Sequence, residues 1–517
     1  MWRKDDPSGH ESAKIRWELP RYTRGRGLDL GCGSEKAFPH FIGVDNGDHE
    51  GKFVNFGMAA DIRVATCEKL EIFASASMDF VFSSHLIEHI QDTKAALKEW
   101  WRLVRPGGYM ILYYPHKELY PNIGTDGANP THVHDFMPED IVAIMKEVGY
   151  WDLVRNEARS AGREYSAFQV FHKASDRKHA FSCDKPKPEK TCGIVRYGAL
   201  GDMIIMSSIL PWLKEQGYHI TLYCSQYGYD VVKHDPHIDD FYIQDPDQVP
   251  QEWLGEFWKY EGIASKKFDK FINLSESIET YLLPDQDRIQ FHWPDSMRRA
   301  VMGRNYLEVT HAIAEVPFPS RQKFYSTLDE VAWARQERMK HRGRVVLWSL
   351  SGSSVHKTWP HMDAIIARLM LHDKSTEVVL VGNTMDSLLQ KGWEDEKRVY
   401  LKAGEWSVRQ SMAFAATVDL VVGSETGLLN AVGCIDVPKV VMLSHSTEEN
   451  LTKHWHNTIA MVPTVPCYPC HRLHHSFDYC HQDQATGSAL CQAQIGVEEV
   501  WAAVQQQLFG QRRQEAA

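Results

Sequence analysis

Gly27-Leu-Asp-Leu-Gly-Cys-Gly33 is an apolar run that ends in a glycine-rich turn. Glycines let the backbone approach a ligand where a Cβ would collide, which suits nucleotide-like ligands. Soon afterwards Phe41-Ile-Gly-Val-Asp45 ends a second apolar run in a carboxylate. An acid at that place can accept hydrogen bonds from both hydroxyls of a ribose. A lone glycine turn is a weak signal; the turn followed by the strand-borne acid is a much stronger one. Ile194-Val-Arg-Tyr-Gly-Ala-Leu-Gly-Asp202 repeats the strand and turn, but its acid stands where a helix begins. The positive end of a helix favours an ionised carboxylate, which suits a base. Helix capping is the competing reading, and on local mechanics alone it is the favourite.

Two further groups carry chemistry. Pro115-His116 and the loop Pro130-Thr-His-Val-His-Asp-Phe136 hold three histidines and Asp135. His132 and His134 can serve as a base, since histidine titrates near neutral pH; the loop can equally hold a metal or do no chemistry. His85, with Glu88 and His89, reads as orienting a ligand or capping the next helix. Near the end, Cys467-Tyr-Pro-Cys470 is followed by Cys480 and Cys491, with His471, His474, His475 and His481 among them. Thiolates two residues apart make half of a zinc site. The later spacings fit no tight ribbon or finger, so structural zinc, reduced thiols and disulfides all stand. Four thiolates would leave a zinc no open position for catalysis.

These residues need elements to hold them. Within residues 1–174, apolar runs at Gly27–Leu30, 41–45, 78–83 and 108–114 read as strands, with helical patterns at 93–104 and Pro138–Val148. Such alternation implies a parallel sheet with helices on both faces. Residues 175–190, with two prolines, many charges and no periodicity, read as a linker. The rhythm then restarts twice. A strand at 192–196, a helix at 204–216 and a strand at 220–224 form one set; strands at 344–349, 377–381, 420–422 and 440–443 form another. Two sets predict two Rossmann-like lobes, at 191–340 and 341–517. The aromatic stretch 245–326 gives no clear order of elements.

A chain of 517 residues is too long for one core. Apolar content of 43% and charged content of 24% are ordinary for a globular protein. A net charge of −11 gives no reason to expect nucleic acid as a partner, though a local basic cleft is compatible with it. No uninterrupted apolar run is long enough for a membrane helix, and the polar start resembles no signal peptide. The expectation is a cytoplasmic enzyme.

The first site resembles class I methyltransferases dependent on S-adenosylmethionine, whose first motif reads D-x-G-x-G. By that resemblance Asp29, Gly31 and Gly33 border the methionine moiety of the cofactor and Asp45 holds its ribose. Met78-Asp-Phe-Val-Phe-Ser-Ser-His-Leu-Ile-Glu-His89 resembles the family's fourth strand and following helix, with Ser84 on the cofactor side. Arg102-Leu-Val-Arg-Pro-Gly-Gly108 resembles the turn before the fifth strand. The third glycine of the usual loop is missing, with Glu35 near its place, which implies a shortened or altered first helix.

The remainder resembles family 9 glycosyltransferases, the heptosyltransferases of lipopolysaccharide assembly, over roughly residues 191–505. The carrying motifs are the run from Arg196 to Pro211 (RYGALGDMIIMSSILP), the phrase Asp235-Pro-His-Ile-Asp-Asp-Phe-Tyr242, and Ser351-Gly-Ser-Ser-Val-His-Lys-Thr-Trp-Pro360. The resemblance implies a two-lobed GT-B fold, with Asp202 as the base, Gly201 beside the donor and Lys357 at the diphosphate. Val421-Val-Gly-Ser-Glu-Thr-Gly-Leu-Leu-Asn430 corresponds to the family's D-T-G-x-x-H loop, with Thr426 and Gly427 cradling phosphate. Glu425 and Asn430 replace the family's aspartate and histidine, so a donor other than ADP-heptose is expected. A cysteine-rich segment before the last helix, here 497–508, is also familiar in that family.

The reading is therefore an α/β fusion of a methyltransferase with a nucleotide-sugar glycosyltransferase. A surface glycan such as lipopolysaccharide is the expected acceptor, and fusion raises the local concentration of shared intermediates. The alternatives are a nucleobase or phage-type acceptor, and one half acting as a non-catalytic binding module.

Overall fold

The computed structural model describes residues 11–47, 59–174, 178–182, 188–245, 248–275, 292–318, 321–352, 357–470 and 480–510. The chain divides into two compact units, one of residues 1–188 with 244–266, the other of 189–243 with 267–517. Residues 244–266, which the sequence placed within the first lobe, pack with the first unit.

In the first unit eight strands form one sheet: β1 (Gly27–Leu30), β2 (Ile42–Asp45), β3 (Ile62–Arg63), β4 (Met78–Ser84), β5 (Val104–Pro115), β6 (Asp152–Arg159), β7 (Ser166–His172) and β8 (Ala180–Phe181). Their order is β3-β2-β1-β4-β5-β7-β6-β8. The strands from β3 to β5 are parallel, as alternation with helices predicts. The far side corrects the expectation of a wholly parallel sheet, because β7 runs antiparallel to both β5 and β6. Adjacent strands joined by a short loop pair antiparallel, whereas a parallel pair needs a long crossover. Order reverses between β1 and β4, so the loops after β1, β2 and β4 open on one crevice at their carboxyl ends.

No helix follows β1: residues 31–41 run through turns, and the Glu35 carboxylate accepts from buried Arg16 at 2.8 Å. The altered first helix is thus an absent one. The aromatic surface this leaves, Trp17 and Phe38, packs against Trp253 and Phe257 of the 244–266 segment, with ring centroids 6.0–6.4 Å apart. Local periodicity does not order that segment, because its aromatics pack on residues far away in the chain.

The second unit holds two parallel sheets. One is β11-β10-β9-β12, built from β9 (Thr191–Val195), β10 (His219–Cys224), β11 (Asp240–Ile243) and β12 (Lys270–Asn273). The other is β15-β14-β13-β16-β17-β18, built from β13 (Val345–Ser349), β14 (Glu377–Val381), β15 (Val399–Leu401), β16 (Leu420–Ser424), β17 (Lys439–Met442) and β18 (Thr458–Met461). β9, β13, β14, β16 and β17 are buried along their whole length, the continuous apolar pattern of strands covered on both faces. A single apolar cluster reaches from Ile194 and Met203 in the first lobe to Val421 and Leu443 in the second. Among the described residues, no helix is long and apolar enough to cross a membrane.

Candidate functional sites

At the crevice of the first unit Gly31 and Gly33 both adopt left-handed backbone, with φ of 69° and 56°. A Cβ on Gly31 would also press on Leu86 at 3.0 Å, so the position is closed to side chains on both counts. Asp45 is buried at the end of β2, where its Oδ2 accepts from the Gly33 N–H at 3.0 Å and its Oδ1 from Gly47 at 2.9 Å. The carboxylate therefore ties the glycine turn to β2. Ser84 ends β4, and the hydroxyls of Ser83 and Ser84 are buried with no hydrogen-bond partner.

Asp29 is 2% exposed and accepts from the Ala37 N–H at 2.7 Å. Burial pushes its carboxyl up to about 7, against the pull of that N–H, Lys36 and Arg16. A folded value above the ordinary 3.8 means that stability is full at low pH and is lost as pH rises towards 7. Asp29→Asn, which cannot ionise, should raise the first unit's unfolding temperature near pH 8 and leave it unchanged near pH 4. A gap of about three units bounds the effect at roughly 4 kcal/mol. Calorimetry between those conditions checks it; parallel curves for the two proteins would refute the assignment.

The histidines separate. His132 meets Glu88 and His89, its ring centroid 4.8 Å from that of His89. His134 instead bonds the Gln91 carbonyl through Nε2 at 3.2 Å, and Asp135 accepts from Ile123. His116 accepts from the Glu118 N–H. Helix capping by Glu88 or His89 is corrected: Asp92 caps Thr93–Leu103, accepting from Ala95 at 2.9 Å.

In the second unit one cavity of about 590 Å³ is lined by Gly201, Asp202, Lys357, Glu425, Thr426, Gly427 and Asn430 together. Asp202 both caps and pairs. Its Oδ2 accepts from the Ala199 N–H at 2.6 Å, and its Oδ1 lies 3.0 Å from buried Arg196. The first turns of the helices Leu200–Met206 and Gly427–Gly433 pack together, and this contact depends on small residues. A Cβ on Gly427 would sit 2.5 Å from the Leu200 Cβ, and one on Gly201 would sit 2.8 Å from the Asn430 Nδ2. Thr426 caps its helix through Leu429, while Asn430 bonds the Thr426 carbonyl and Gln322.

Glu425 is 3% exposed and pairs with His445 at 2.5 Å. Burial alone would raise its carboxyl, but His445, Lys357 and Ser444 outweigh burial and hold it well below the usual carboxylate range. Its Oε2 has no hydrogen-bond partner. His445 was missed in the sequence because it carries no motif; it arrives from the loop after β17, the strand beside β16. Ser353 to His356 of the phosphate-contacting motif lie outside the described residues.

Of the four tail cysteines Cys467 is exposed, Cys470 and Cys480 are half-buried and Cys491 is buried. Burial, then the neighbouring Cys480, Cys470 and Cys467, push the Cys491 thiol up to about 12. Tyr468 donates to the carbonyl of Ser446, a residue of the cavity wall. His471, His474 and His475 lie outside the described residues.

The fold and sites define two joined α/β units, a Rossmann-like methyltransferase domain and a two-lobed unit with its cavity between parallel sheets. Residues 28–112 match the family model described as a methyltransferase domain. Ubiquinone biosynthesis O-methyltransferase of Pseudomonas aeruginosa is 26% identical over 148 residues, covering 24% of this chain and 62% of that protein. The chain thus spans about three-fifths of the length of the curated relatives it matches. The crystal structure of a family 9 glycosyl transferase from Veillonella parvula is similar over 63% of this chain and 99% of its own, with 17% identity and a TM-score of 0.45. ADP-heptose LPS heptosyltransferase II of E. coli covers 63% and 100%, with 16% identity and a TM-score of 0.44.

Proposed function

We propose that this chain carries two transferase activities: sugar transfer from a nucleotide-diphosphate donor to an acceptor hydroxyl, and methyl transfer from S-adenosylmethionine to a related acceptor. The observation that supports the first is the meeting of seven motif residues from two lobes around one cavity. Asp202 takes the proton of the acceptor hydroxyl, and Arg196 and the Ala199 N–H hold its carboxylate in place. Lys357 offsets charge on the diphosphate as the glycosidic bond breaks. For methyl transfer, Asp45 holds the ribose, Gly31 and Gly33 admit the methionine end, and S-adenosylmethionine supplies an electrophilic methyl group. His132 stands on the acceptor side, and His134 steadies the same loop through Gln91.

A glycan of the bacterial surface fits the family 9 motifs as acceptor, and synthesis in the cytoplasm fits a chain without a membrane-spanning helix among its described residues. The glutamate and asparagine in the D-T-G-x-x-H-like loop favour a donor other than ADP-heptose. Cys467, Cys470, Cys480 and Cys491 are the residues that would hold a structural metal. The lobes run over 191–340, without the 244–266 segment that packs with the first unit, and 341–517, while Ala180–Phe181 of the 175–190 stretch joins the first unit's sheet as β8.

Thermal unfolding tests the reading. S-adenosylmethionine should raise one transition and a nucleoside diphosphate sugar another, by the mass action of ligands that bind only the folded state. If neither shifts any transition, the two-enzyme reading fails.

A further inference from the structure

The turn after β4 gathers donors that the sugar-transfer and cofactor contacts leave unused. Glu88 lies in the turn Ile87–His89, 2% exposed, and neither of its carboxylate oxygens has a hydrogen-bond partner. Three imidazole nitrogens face its Oε1: His85 Nδ1 at 3.6 Å, His89 Nε2 at 3.9 Å and His132 Nε2 at 3.9 Å. The donor atoms of Glu88, His89 and His132 all lie within 4.8 Å of one another. The backbone enforces the meeting, because the N–H groups of Val133 and His134 both donate to the Glu88 carbonyl.

Contacts behind the rings orient them. His89 Nδ1 lies 3.1 Å from the Thr131 carbonyl, which accepts only from a protonated Nδ1, and 3.1 Å from the Thr131 hydroxyl, which donates to Asn129 Oδ1. In the neutral ring, its Nε2 lone pair then faces Glu88. His85 is steered by Ser166 and Glu11, at 3.0 and 3.3 Å from its Nε2, and it holds a left-handed backbone with φ of 48°. Lone pairs and an unsatisfied carboxylate crowded together repel unless a proton or a metal ion lies among them. A carbonyl behind a ligating imidazole is the usual second contact at a metal.

We infer that Glu88, His89 and His132 bind a divalent transition-metal ion, with His85 placed as a further donor. Two imidazoles and one carboxylate suit zinc, manganese, iron or cobalt better than magnesium. Bonds of about 2.1 Å require the donors to draw in by roughly half an ångström. The ion would lie at the same edge of the sheet as Gly31 and Asp45, where it can acidify an acceptor hydroxyl. His132 then holds the ion instead of taking the proton. The inference does not depend on the acceptor, and its test reads the metal itself.

Full-length protein is stripped with a chelator and titrated with Mn²⁺, free Mn²⁺ being followed by electron paramagnetic resonance. Manganese favours oxygen and nitrogen over thiolate, so the cysteine tail competes weakly. One ion should bind per chain, at least tenfold more weakly in Glu88→Gln and in His132→Ala, and unchanged in Cys470→Ser. Circular dichroism and melting curves identify any variant that fails to fold, and His89→Asn then replaces it. With Co²⁺ the folded protein should show weak d–d bands that vanish in Glu88→Gln. Equal Mn²⁺ binding by wild type and folded variants, or none by wild type, overturns the site. So does cobalt absorption that is all thiolate charge transfer and is lost in Cys470→Ser.

Discussion

Asp202→Asn lowers the turnover of sugar transfer by about 10²- to 10⁴-fold, the usual worth of a positioned base, while donor affinity changes little. Asparagine keeps an oxygen for the Ala199 N–H, so the helix Leu200–Met206 keeps its cap. It loses the charge that pairs with Arg196 and the ability to accept a proton. The substitution thus separates the two readings that the sequence alone could not. A residue that only caps would cost about 1 kcal/mol of stability and leave turnover intact. Steady-state release of nucleoside diphosphate, with calorimetric titration of the donor, measures both. Turnover within threefold of wild type would remove Asp202 as base.

In the other unit, Asp45→Ala weakens S-adenosylmethionine binding by roughly 100-fold or more. Hydrogen bonds to a charged group are worth about 1.5–3 kcal/mol each, and a ribose presents two hydroxyls. The loss is compounded because Asp45 also fastens the Gly33 and Gly47 N–H groups, so the glycine turn loosens with it. Asp45→Asn keeps one acceptor oxygen and should fall between the two. Isothermal titration on the full chain gives the affinities; wild-type affinity in Asp45→Ala would show that the ribose lies elsewhere.

Much of the fold was legible because its strands advertise themselves. Gly27–Leu30, Glu377–Val381 and the helix Pro138–Val148 fall where apolar periodicity puts them. The helix expected at 204–216 is broken instead: Leu200–Met206 passes through a tight turn into Leu210–Glu215. Pro211 lacks the N–H that a continuous helix would use there. The β6–β7 pair was missed because β6 alternates charged Arg155, Glu157 and Arg159 along a half-buried strand, where no apolar run forms. The segment 244–266 was illegible for a different reason. Its Trp253 packs against Trp17 and Phe38, residues more than two hundred positions away, and no local period encodes such a partner.

The sites divide in the same way. By itself the sequence determined the glycine turns, the acid at the end of β2 and the motif residues of the two lobes, because each is a local demand on backbone shape or charge. Tertiary structure alone decided which of them meet. It set Lys357 and His445 around Glu425, lodged Gly427 against Leu200, and gave Asp202 a cap and an arginine together. It also drew His132 to Glu88 while turning His134 away to Gln91, though the two histidines are alternate residues of one loop. Proximity across a sheet edge is fixed by strand order and by backbone hydrogen bonds such as Val133 to Glu88, and residue spacing carries neither.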